Sequence, residues 1–138
     1  MNYGHELKSM SQGPLKIRSF TDLDAWKEGH QLVLMTYKNT RLFPKGEQFA
    51  LTAQMRRAVV SVTSNIAEGF SRNSYREKAQ FYAMALGSLT EVHNQFIIAK
   101  DIGYLPHEAF ADIEAQAVKV HKITNGLIKK SRSLIPDS

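Results

Sequence analysis

Cysteine is absent from this 138-residue chain, which excludes a disulfide, a thiol nucleophile and any zinc-thiolate site. No apolar run approaches the roughly 18 residues that a bilayer-spanning helix needs. The opening stretch MNYGHELKSMSQGPLKIRSF also lacks the apolar centre of a signal peptide. A soluble, cytoplasmic protein with no membrane association is therefore expected. Acidic residues are outnumbered, 13 against 18 Lys and Arg, and the net charge of +5 suits an anionic partner, nucleic acid first. At this length a single domain can bury a core without covalent staples.

Strand alternation is missing as well, and what remains is helical periodicity. Residues 1–19 mix Gly, Ser, Pro and charge without a period and read as an N-terminal arm. Thr21 followed by Asp24 fits a capping box. Beyond it Leu23, Trp26, His30, Val33, Tyr37 and Thr40 recur at steps of three and four, predicting a first helix to about Leu42. Phe43-Pro44-Lys45-Gly46 breaks it. A second helix is predicted from about Glu47, with Leu51, Met55, Ala58, Val62 and Ile66 inward and Gly69 as a left-handed C-terminal cap. Ser74 and Glu77 form a capping box for a third helix that reaches Asp101 before Gly103. Pro106 suits the first turn of a fourth, whose Phe110, Ile113, Ala117, Val120, Thr124 and Leu127 face inward to about Ser131. The fold class expected is all-α, an antiparallel up-and-down four-helix bundle over residues 20–131 followed by a tail at 132–138.

Charge is missing from two stretches where a lone bundle would show it. AQFYAMALGSLT at 79–90 and AVVSVTSNIA at 58–67 carry none, and the apolar residues of the former circle the helix. A helix apolar on most sides is covered on most sides. With Gly87-Ser88 permitting close helix approach, the second and third helices are expected to face another copy of the chain in a homo-oligomer.

Known catalytic and metal-binding patterns are also lacking. None of the five histidines follows a glutamate by three residues, so the di-iron bundle motif is absent, and His-Glu-x-x-His is too. His30 and His93 sit on apolar stripes and read as packed histidines. Ser61 and Ser64 lie on a helix with no nearby histidine, and no Gly-rich phosphate loop occurs. No arginine is closely followed by a histidine, the pairing that small helical ribonucleases use. No metal, cofactor or enzymatic activity is expected.

Polar residues within the second helix call for another explanation. Gln54, Arg57, Ser61, Asn65 and Glu68 share one stripe, and Ser88, Glu91 and Gln95 form a matching one on the third helix. Glu68 stands near a helix C-terminus, where the dipole disfavours a carboxylate by about 0.3–1 kcal/mol. Arg57, Arg72 or Arg76 could offset that cost through a charge-assisted hydrogen bond. Gln54, Ser61, Asn65, Glu68, Ser88, Glu91 and Gln95 are thus expected to form a structural or interface network. Two basic clusters remain as phosphate contacts. Arg56, Arg57, Arg72, Arg76 and Lys78 surround the second helix and its exit; Lys119, Lys122, Lys129, Lys130 and Arg132 give the fourth five bases and no acid after Glu114. For the latter, acids in the first turns and bases in the last also complement the helix dipole without any ligand.

FTDLDAW at 20–26, FPKGEQFALTAQMRRAVVSVTSNIAEGFSR at 43–72, FYAMALGSLTE at 81–91 with Gln95, and NGLIK at 125–129 resemble the bacterial four-helix-bundle family encoded by 23S rRNA intervening sequences, also labelled S23 ribosomal protein. His30 departs from the small apolar residues usual there. The resemblance implies a bundle, a homopentamer and a structured RNA or DNA partner. A distant branch comprises the accessory variability proteins of diversity-generating retroelements. The resemblance brings no catalytic residues. Two functions are compatible with these features: a non-enzymatic nucleic-acid-binding accessory protein, or a pentameric scaffold that docks another protein.

Overall fold

A computed structural model describes residues 16–136. Residues 1–15 of the expected arm and 137–138 of the expected tail lie outside the described residues. Among those described, four α-helices and two 3-10 turns account for all regular structure: α1 (Asp24–Thr40), α2 (Leu51–Ser71), α3 (Tyr75–Asp101) and α4 (His107–Ser133), with turns at Phe20–Asp22 and Lys45–Glu47. Each helix packs antiparallel against the next, and α1 closes the bundle against α4. No helix is long and apolar enough to cross a membrane among these residues.

The core is one cluster to which all four helices contribute, including Leu32 of α1, Met55, Val59 and Ile66 of α2, Val92 and Phe96 of α3, and Ile113, Val120 and Ile128 of α4. The expected inward stripes of α2 and α4 are buried except for Leu51 and Leu127, which flank the core. On α1 the expectation holds for Thr40, and Leu23, Trp26 and Val33 pack against the core only partly buried. The buried stripe of α1 is Ala25, Gly29, Leu32, Thr36 and Thr40, whereas Trp26, His30 and Val33 lie at its edge and Tyr37 is exposed. The two threonines tolerate burial because their hydroxyls donate to carbonyls one turn back, Thr36 to Leu32 O and Thr40 to Thr36 O, both at 2.8 Å. Gly29 occupies a tight spot where an added Cβ would lie 3.1 Å from Thr63 Cγ2, drawing α1 close to α2. Trp26 instead stacks on His30 at 4.7 Å between ring centroids.

Several helix ends also differ from expectation. The N-terminal capping box is Ser19 with Asp22, around the first 3-10 turn, so Thr21 does not cap α1. Backbone N–H groups of Arg18 and Ser19 donate to the Asp22 carboxylate and hold its pKa below the usual carboxylate value. The 3-10 turn at Lys45–Glu47 delays α2 to Leu51, because the chain needs those residues to turn after Pro44. Gly69 is an ordinary helical residue of α2; the positive φ among the described residues belongs to Gly103, at 87°. Ser74 caps α3 as expected, its Oγ accepting from the Glu77 N–H at 3.1 Å. Pro106 is the N-cap residue of α4, which continues through Arg132 to Ser133.

Candidate nucleic-acid interface

Antiparallel packing gathers the end of α2, the start of α3, the end of α4 and the start of α1 at one pole of the bundle. At that pole α2 and α3 come together closely. A Cβ on Gly69 would fall 2.6 Å from Tyr82 Cε1 and 3.1 Å from Phe81 Cβ, so the absence of a side chain is what lets the helices meet there. Burial pushes the Tyr82 hydroxyl up to about 12.

The basic residues of this pole divide by what they touch. Arg72 bridges to Glu68 at 2.9 Å and lies over the Phe81 ring at 4.5 Å. This ion pair offsets the unfavourable dipole at Glu68, whose neighbour Ser71 donates to Glu68 O at 2.7 Å. Lys78 donates to Phe70 O at 2.6 Å, meeting a carbonyl at the end of α2 that has no partner within its helix, and desolvation lowers its pKa. Arg72 and Lys78 thus fasten the α2–α3 corner. Arg76, Lys129, Lys130 and Arg132 are exposed. Arg76 and Arg132 line one open hollow of about 510 Å³ with Ala79, Gln80, Ala83, Met84 and Ile135. Lys130 reaches a second, of about 460 Å³, where Lys27, Ile17, Asp22 and Leu127 meet.

Arg56 and Arg57 lie elsewhere. Arg56 donates from Nε to Thr40 Oγ1 at 3.0 Å and covers the Tyr37 ring at 4.7 Å, which ties α2 to the end of α1. Arg57 is exposed on the outer face of α2, beside Val60 and Ser64. Lys119 pairs with Glu28 at 3.4 Å across the α1–α4 seam, and Lys122 is exposed halfway along α4.

Of the expected polar network the structure brings together only its middle. Ser61 and Ser88 hydroxyls lie 2.8 Å apart across the α2–α3 seam, and Asn65 Nδ2 donates to Ser61 O at 2.9 Å and Ser61 Oγ at 3.1 Å. Gln54 and Glu91 are exposed, and no side-chain hydrogen bond joins either to the seam among the described residues. Gln95 is buried, with Oε1 lacking a hydrogen-bond partner. Glu68, with 48% of its side chain exposed, pairs within its own helix and does not enter the seam. Within residues 79–90, Ala79, Tyr82, Ala85 and Leu89 are buried in the chain itself, while Ala83, Met84, Gly87 and Thr90 face outward.

Sequence reasoning missed Ala79, Gln80, Ala83, Met84 and Ile135 as lining residues. The first four belong to the charge-free stretch 79–90, which the sequence offered as a surface for another copy of the chain, and Ile135 carried no signal beyond its proximity to Arg132. No cluster of three or more His, Asp or Glu side chains suited to a metal occurs among the described residues.

These features define an all-α, four-helix protein with a cationic pole. The chain belongs to the 23S rRNA-intervening sequence protein family, whose sequence model matches residues 21–126. Among solved structures, a protein of unknown function from the S23 ribosomal protein family of Bacteroides thetaiotaomicron VPI-5482 shares the fold. Its TM-score is 0.69 at 17% identity, over 76% of this chain and 95% of that one. No curated protein matches the chain.

Proposed function

We propose that this protein is a non-enzymatic accessory protein that assembles with itself and binds structured RNA or DNA through its cationic pole. The observation that carries this reading is the convergence of Arg76 and Arg132, from opposite ends of two helices, on one hollow, with Lys129 and Lys130 exposed on the same last turns of α4. Guanidinium groups on a surface of excess positive charge bind phosphates and release condensed counterions. Self-assembly, five-fold by the family resemblance, is supported by bare apolar side chains at the other pole. Phe49 is 89% exposed, Leu42 79% and Ile102 52%. Repetition of the cationic pole in an oligomer would combine weak phosphate contacts by raising the effective concentration.

The test is fluorescence anisotropy with a structured RNA and a duplex DNA at about 50 and 200 mM salt. Wild-type affinity should fall steeply with salt. The double variant Arg76→Glu/Arg132→Glu should bind on the order of 100-fold more weakly, with a shallower salt dependence. Lys38→Glu/Arg41→Glu, at the other pole, should stay within about twofold of wild type. If the wild-type protein binds neither nucleic acid at low salt, the protein-docking scaffold replaces this reading.

A further inference from the structure

The hollow between α3 and α4 differs from a plain basic patch. Its two arginines share the lining with apolar Ala79, Ala83, Met84 and Ile135, and Gln80 contributes an amide able to donate and accept at once. No carboxylate lines it among the described residues. A duplex keeps its base faces stacked inside and offers only phosphate, sugar and groove-facing base edges, leaving the apolar lining without a base face to cover. An unpaired nucleotide offers both chemistries: an apolar base face with a hydrogen-bonding edge, and flanking phosphates.

We infer that the hollow between Arg76 and Arg132 receives one unpaired nucleotide of a single strand. Its base lies against Ala83, Met84 and Ile135, its edge is within reach of Gln80, and its phosphates meet the two arginines. The inference rests on the nucleic-acid reading above and adds to it a preference for single-stranded segments. Arginine planes also stack on bases, so the two side chains can serve the base as well as the phosphates. The other large hollow at this pole does not match, because Asp22 in its lining would repel a phosphate.

The experiment compares a short single-stranded oligonucleotide with an abasic strand of equal length and charge, against wild-type protein and Ala83→Leu. Ala83 is exposed, so the larger side chain occupies the hollow without entering the core. Wild type should prefer the base-bearing strand by about tenfold. Ala83→Leu should lose most of that preference while binding the abasic strand within about twofold of wild type. Equal, salt-sensitive binding of both strands by wild type overturns this inference and leaves the polyanion reading standing. Binding of neither strand overturns both. A change in oligomeric mass of Ala83→Leu by light scattering would assign the hollow to contact between copies, which also overturns it.

Discussion

The two poles of the bundle are closed by different chemistry. At the cationic pole, α2 and α3 meet through Gly69 against Phe81 and Tyr82, and Lys78 and Arg72 are spent on local contacts. At the other pole large side chains make the contacts. Phe43 packs on Tyr104 with ring centroids 5.5 Å apart, the Tyr104 hydroxyl donates to Glu47 at 2.8 Å and raises its own pKa in doing so, and Lys100 lies over Phe110. The first pole leaves Arg76, Lys129, Lys130 and Arg132 outward; the second leaves Leu42, Phe49 and Ile102 outward beside Lys38, Arg41 and Lys45. Fastening and presentation are therefore separate tasks at each pole, carried by different residues, and charge alone does not identify which basic side chain is available to a ligand.

Substitution at the closures breaks this comparison most severely. Gly69→Ala should destabilise the fold by about 2–3 kcal/mol, since the new methyl meets a ring that cannot easily retreat. Tyr104→Phe, at the opposite closure, should cost only about 1 kcal/mol for one hydrogen bond. Chemical denaturation of the two variants measures the difference, and equal losses would show that the poles are closed with equal tightness.

A middle-sized effect is expected from the bare apolar pole. Phe49→Ser/Ile102→Ser should weaken self-association by about tenfold or more, because two large apolar side chains would no longer be covered. Light scattering and sedimentation should report a wild-type mass several times that of the 15.6 kDa chain and a smaller one for the variant. A monomeric wild type at tens of micromolar would remove the assembly half of the proposed function.

The smallest effect belongs to the corner of the cationic pole. Glu68→Ala removes one half-exposed ion pair and should change stability by less than about 1 kcal/mol in thermal melts. A loss of several kcal/mol would mean that another surface covers Glu68 and Arg72 in the assembled protein.

Helix number, the third and fourth helix starts, and the inward faces of α2 and α4 were legible because apolar spacing and punctuation agreed there. On α1 they conflicted. Trp26 and Tyr37 look like core residues and Thr36 does not, yet self-bonding hydroxyls and the absent Gly29 side chain turn the helix the other way. Gly69 carried a cap-like position, but close approach, not a left-handed backbone, explains it. The polar stripes were visible in the spacing. Their pairing depends on register across the seam, which allows Ser61 to meet Ser88 and leaves Gln54 and Glu91 outside. The two basic clusters were legible as composition only. Splitting them into fastened and exposed residues, and joining Arg76 to Arg132, required the third dimension.

The seam between α1 and α4 bears on how the chain acquires its structure. Every other helix pair consists of neighbours along the chain, joined by connections of ten residues or fewer, so those contacts close small loops with little entropy loss. Local topologies of this kind fold in microseconds to milliseconds. The seam instead joins helices from opposite ends of the sequence, where Gln116 Nε2 donates to Glu28 O at 2.8 Å and Glu28 Oε1 at 3.0 Å. It is the joint with the largest loop to close, and the three hairpins of sequential helices can form without waiting for it. The search for the native state is thereby divided into short steps with a single long one, and the polar latch on Glu28 bears on that long step.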